Sequence, residues 1–138
     1  MQVKSLSSLR EKLRKIMNGP STRDLIEDLE SIVIELIERY NPRSIIIAGS
    51  TAKSKFVRGL SDIDLLVIID ESPSKDERFM LKAIKDVNVE VTLYSLREVV
   101  DNIKTGNPFI IDAIENGFEV YGDVVHKLKQ LHEELKKI

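Results

Sequence analysis

Cysteine is absent from this chain of 138 residues. That excludes disulfides, zinc–thiolate centres and a cysteine nucleophile. No apolar run approaches the roughly 20 residues of a membrane-spanning helix. Residues 1–17 contain basic side chains but no apolar signal core, so the sequence reads as cytoplasmic with no membrane partner. Aromatic residues make up only 5% and the formal net charge is −2. Without an interleaved aromatic and basic platform, nucleic acid is not an expected partner. Histidine occurs twice, at His126 and His132, a spacing that does not pair two imidazoles on one helix face, and both read as surface residues. What is present is 42% hydrophobic and 32% charged residues, a globular composition in a length that suits one domain.

Apolar spacing divides the chain into short elements. Leu6, Leu9, Leu13 and Ile16 fall at helical intervals before Asn18-Gly19-Pro20 interrupts them. Ser21 or Thr22 can cap a second helix, whose stripe runs from Leu25 to Tyr40. Residues 44–48 (SIIIA) form a β-branched strand broken by Gly49, and residues 62–69 form a second strand, apolar on both faces from Leu65 onward. Residues 71–86 read as a turn and a short helix. Residues 87–95 alternate strictly, with Val87, Val89, Val91 and Leu93 inward. Ser95 caps a helix, Asn107-Pro108 starts another that Gly117 follows, residues 118–121 suit an edge strand, and the rest is helical. The expected architecture is α/β (α+β): a small mixed sheet flanked by helices. One domain spans 1–138, with a helical arm at 1–20, a catalytic core at 21–122 and a C-terminal helix at 123–138.

Chemistry concentrates in residues 48–70. Asp62 and Asp64 are two apart on a strand, so their side chains share one face. Two carboxylates held that close repel, and a hard divalent cation with oxygen ligands relieves them. Mg²⁺ typically takes one or two carboxylates and completes its shell with substrate phosphates. If the strand at 87–94 is a neighbour, Glu90 adds a third carboxylate and the group can hold two metals. Upstream, Gly49 lets the backbone approach a phosphate closely, and Ser50 offers a hydroxyl and an N–H. Lys53, Lys55 and Arg58 lie on the acid-free loop between, as candidate phosphate contacts. One end of the stretch suits a polyphosphate and the other its metals, as attack on a phosphoryl centre requires.

The order of apolar strand, Gly49-Ser50, eleven residues, Asp62-Ile63-Asp64 and a second apolar strand resembles the signature of the DNA polymerase β-like nucleotidyltransferase superfamily. The wording GSTAKSKFVRGLSDIDLLV and the segment NPFIIDAIENGFEVYG at 107–122 are most similar to its minimal nucleotidyltransferases, the MNT family. The resemblance covers roughly residues 30–122. It implies that Gly49 and Ser50 hold the triphosphate of ATP or another nucleoside triphosphate, that Asp62 and Asp64 bind Mg²⁺, and that a third carboxylate assists. That position is commonly Asp in the family, whereas Glu90 is one methylene longer. The activity implied is transfer of a nucleoside monophosphate, AMP from ATP, to a hydroxyl of a protein partner such as a HEPN-type toxin. The alternative is an MNT-like binding module that neutralises or scaffolds its partner by contact alone. The N-terminal helix is the expected seat of a partner or of a second copy in a homo-oligomer.

Overall fold

The computed structural model describes residues 3–138, with side-chain environments from Ser8 onward. A five-stranded mixed sheet lies between two groups of helices. Its strands are β1 (Ser44–Ala48), β2 (Ile63–Ile69), β3 (Phe79–Ile84), β4 (Val87–Ser95) and β5 (Phe118–Gly122), in the spatial order β3-β4-β2-β1-β5. Only β2 and β4 pair in parallel; β1 is antiparallel to β2 and to β5, and β3 to β4. The central position of β2 explains its composition, because six of its seven residues are buried and both of its faces meet helices. The exception is Asp64.

One face of the sheet presents Ile45, Ile47, Leu65, Val67, Val89, Val91 and Leu93 to α1 (Val3–Ile16) and α2 (Ile26–Tyr40). α1 was expected as an arm outside the 21–122 core, but its Leu9 and Leu13, with Met17 just after it, lie in the same buried cluster as α2 and the sheet. A forked contact from Arg10 to Glu30 ties the two helices together. Leu6 lies outside the residues whose side chains are described. The other face carries Ile46, Ala48, Leu66 and Ile68, covered by α5 (Leu96–Thr105), α6 (Pro108–Asn116) and α7 (Val125–Lys136). Neither Ser21 nor Thr22 caps α2, which starts at Ile26 after a single turn at Arg23–Leu25 and has no side-chain cap, whereas the caps of α5 and α6 are those the sequence signals. Ser95 and Glu98 form a reciprocal capping box, and the Asn107 side chain accepts from the N–H groups of Phe109 and Ile110.

One element differs from expectation. Within 71–86 only Lys75–Arg78 (α4) is helical, and residues 79–84 form β3. Ile84 is buried while Phe79, Leu81 and Ala83 are exposed, the alternation of an edge strand covered on one face. A tight turn at Lys85-Asp86, with Lys85 at φ 52°, brings β4 back antiparallel. Pairing with β4 outweighs the local helical spacing of Met80, Ala83 and Ile84. Among the described residues no helix is long and apolar enough to cross a membrane.

Candidate active site

The site grows from one row across the sheet. Ala48 on β1 pairs with Asp64 on β2, Asp64 with Glu90 on β4, and Glu90 with Leu81 on β3. Neighbouring strands stand about 4.8 Å apart, so residues in one row contact each other directly. β2 and β4 are neighbours, and Glu90 therefore lies beside Asp64, as the carboxylate trio requires. Asp62 falls just before β2, which begins at Ile63, and is half-buried; its charge still acts on Asp64. Burial, then the hydrogen bond and charge of Glu90, then the charge of Asp62 push the Asp64 carboxyl up to about 7. In the metal-free protein the repulsion is relieved by retaining a proton near neutral pH.

Gly49 begins the four-residue helical turn α3 (Gly49–Ala52) with φ +65°, in the left-handed region that favours glycine. A Cβ at this position would collide with the Asp64 carboxylate. Gly49 therefore lets the backbone pack directly against the Asp64 carboxylate. Ser50, the next residue, is half-buried.

The donor set can be tested against Mg²⁺. Among the described residues no three His, Cys, Asp or Glu side chains are gathered into a ready-made metal cage. Mg²⁺ does not demand one, since it keeps several oxygen ligands from water and substrate phosphate. Asp62 and Asp64 are hard oxygen donors with excess negative charge, and in these respects they fit the ion.

Two of the three loop cations are engaged by carboxylates of other elements. Arg58 donates to the carboxylates of Asp24 and Asp86 and to the Ser21 carbonyl, at distances from 2.6 to 3.1 Å. This holds Asp24 down at about 2 and lowers Asp86, in both cases chiefly through the hydrogen bonds from Arg58. The expected phosphate contact is thus a clasp that fixes the 53–62 loop to the start of α2 and the β3–β4 turn. Lys53 is paired with Asp112 on α6 at 2.8 Å, and Lys55 is exposed. His132 contacts Glu115 and is only partly exposed, bridging α7 to α6 rather than standing free on the surface.

Sequence reasoning missed the wall beyond Glu90. Phe79, Leu81, Thr92, Tyr94 and Phe109 line an open cleft of about 590 Å³ with Glu90 at its edge. Its signal was the i, i+2 spacing of Phe79, Leu81 and Ala83, hidden by the helical reading of that segment.

The model of a nucleotidyltransferase domain matches residues 27–137, most of the chain and all of the site. The chain belongs to the nucleotidyltransferase domain family. Members of this family are transferases whose general role is nucleotidyl transfer. None of the curated proteins compared with the chain matches it. Among solved structures it is similar to a nucleotidyltransferase-like protein from Exiguobacterium sibiricum, with a TM-score of 0.54 at 15% identity. The alignment covers 80% of this chain and 38% of that one, so the chain spans well under half the length of that relative. At this identity the likeness concerns the fold. The sheet and flanking helices described above are those of a nucleotidyltransferase fold.

Proposed function

We propose that the protein is a Mg²⁺-dependent nucleotidyltransferase of the minimal type that moves AMP from ATP to a hydroxyl of a protein partner. The observation that carries this reading is the row from Ala48 through Asp64 to Glu90, with Gly49 packed against the Asp64 carboxylate. Gly49 and Ser50 receive the β- and γ-phosphates. Asp62 and Asp64 would hold Mg²⁺, which would supply neutralisation of the phosphate charge. Glu90 is more exposed than Asp64 and lines the open cleft, which supports a role in taking the acceptor's proton. The acceptor oxygen bonds to the α-phosphorus, the bond from that phosphorus to the bridging oxygen breaks, and pyrophosphate departs toward Gly49 and Ser50. The proton of the hydroxyl passes to Glu90.

A HEPN-type toxin as partner rests on the MNT resemblance and is part of the proposal. The test is incubation with each nucleoside triphosphate labelled at the α-phosphate, with Mg²⁺ or EDTA, and with or without a HEPN-domain protein. Label should move to protein only with Mg²⁺, most efficiently from ATP. Glu90→Gln should slow transfer roughly 10²–10⁴-fold, the range of a lost general base. Tight Mg²⁺–ATP binding with no transfer to any protein would favour a contact-only binding module.

A further inference from the structure

The ion pair between Lys53 and Asp112 bears on how the triphosphate is held, an inference that rests on the transfer reaction proposed above. Lys53 directly follows α3 and stands three residues after Ser50, so the two are neighbours on one side of that turn. α6 covers the sheet face that carries Ile46, Ala48 and Leu66. Asp64 is on that face as well, because it pairs with Ala48 and lies two residues before Leu66. The same helix brings Phe109 to the cleft that Glu90 lines. The Lys53–Asp112 pair, at 2.8 Å, therefore stands on the side of the sheet where the carboxylates lie.

Both oxygens of Asp112 are engaged. Oδ2 meets the Lys53 ammonium, and Oδ1 accepts at 2.8 Å from the amide of Asn116, one turn further along α6. These contacts, that of Lys53 first, hold the Asp112 carboxyl below its ordinary range. The side chains of Lys53 and Asp112 are 39% and 36% exposed, and an ion pair so open to water adds little to stability. Its effect is on geometry. A lysine stem is flexible, and its ammonium carries three donors. Asp112 takes one, which fixes the end of the stem and leaves the others for phosphate oxygens. In protein kinases the phosphate-binding lysine is likewise paired with a glutamate on a packed helix. Arg58 cannot substitute, since its guanidinium is committed to Asp24, Asp86 and the Ser21 carbonyl.

We infer that Asp112 is a positioning residue for nucleotidyl transfer: anchored by Asn116, it holds the Lys53 ammonium beside Ser50 to meet the terminal phosphates of the nucleotide. Asp112 also brings a negative charge toward a polyanion, so the roles open to it have opposite signs. A carboxylate that merely stood nearby, or competed with phosphate for Lys53, would weaken binding, and its removal would strengthen it. A carboxylate that positions Lys53 strengthens binding, and its removal weakens it.

Calorimetry of the full chain with Mg²⁺–ATP and with Mg²⁺–tripolyphosphate reads that sign without any transfer. Asp112→Ala should keep the circular dichroism and melting temperature of the wild type and bind both ligands roughly ten-fold more weakly. Asp112→Glu, which restores the carboxylate one methylene further out, should recover part of the loss. In a Lys53→Ala background, Asp112→Ala should cost nothing further, because the two residues act through one contact. The inference is overturned if Asp112→Ala binds as tightly as the wild type or more tightly, or if Asp112→Glu binds no better than Asp112→Ala. It is equally overturned if the loss persists in the Lys53→Ala background, or if the wild type binds neither ligand. Failure of the transfer reaction is seen separately, as labelled nucleotide that binds but leaves no label on protein.

Discussion

Replacing Asp64 with asparagine removes a charge while keeping the shape of the side chain, and it should stabilise the metal-free protein. Folding raises the Asp64 carboxyl from 3.8 to about 7 through burial, then Glu90, then Asp62. For a group raised on folding, its contribution to stability is complete below the unfolded value. It is lost as pH climbs toward the folded value, and above about 7 the full penalty applies. A rise of about three units corresponds to a ceiling of about 4 kcal/mol. Asp64 is only half-buried, so solvent screening brings the expected figure to about 2 kcal/mol. Asparagine has no proton to lose and escapes this penalty. In EDTA at pH 8 the Asp64→Asn protein should therefore be more stable by about 2 kcal/mol, with the gap shrinking to well under half at pH 4.5. Urea unfolding followed by circular dichroism at both pH values measures it. Mg²⁺ at pH 8 should then raise the wild type more than the variant, as the proposed metal site at Asp62 and Asp64 requires. A variant that is less stable at pH 8, or a gap indifferent to pH, would show that the carboxylates support the fold rather than await a cation.

Gly49→Ala should cost about 1–3 kcal/mol through its left-handed backbone. It should also abolish Mg²⁺–ATP binding in calorimetry, because the new methyl collides with the Asp64 carboxylate. Arg58→Ala should lower the melting temperature by releasing Asp24 and Asp86, yet leave nucleotide affinity near wild type; a large loss of affinity would return Arg58 to the phosphates. Leu13→Ala should destabilise by about 2–5 kcal/mol in urea unfolding, since a fully buried side chain leaves a cavity. A change below about 0.5 kcal/mol would mean that α1 is dispensable to the core.

The sequence by itself determined much of the local structure and the chemistry of the site. The two-faced apolar run after Asp64 marked a central strand, Ser95 and Asn107 marked helix starts, and Gly49-Ser50 with Asp62-x-Asp64 marked the reactive end of the sheet. The strand and helix starts are local properties, since side-chain period and capping chemistry act over a few residues, and the reactive end marked by Gly49-Ser50 and Asp62-x-Asp64 is the candidate site the proposed function rests on. The tertiary structure alone decided which elements meet. It set β4 beside β2 in parallel, and that register puts Glu90 rather than Asn88 or Thr92 against Asp64. It turned residues 79–84 into a strand, because β4 offered an unpaired ladder and a covered face that a lone helix would lack. It drew Arg58 to Asp24 and Asp86, 34 and 28 residues away, and Lys53 to Asp112, choices invisible to spacing along the chain. It also folded α1 back past Asn18-Gly19-Pro20, so that Leu13 and Met17 complete the core beneath the sheet. Periodicity tells a residue which face it occupies, but only the packing of distant elements tells it what stands opposite.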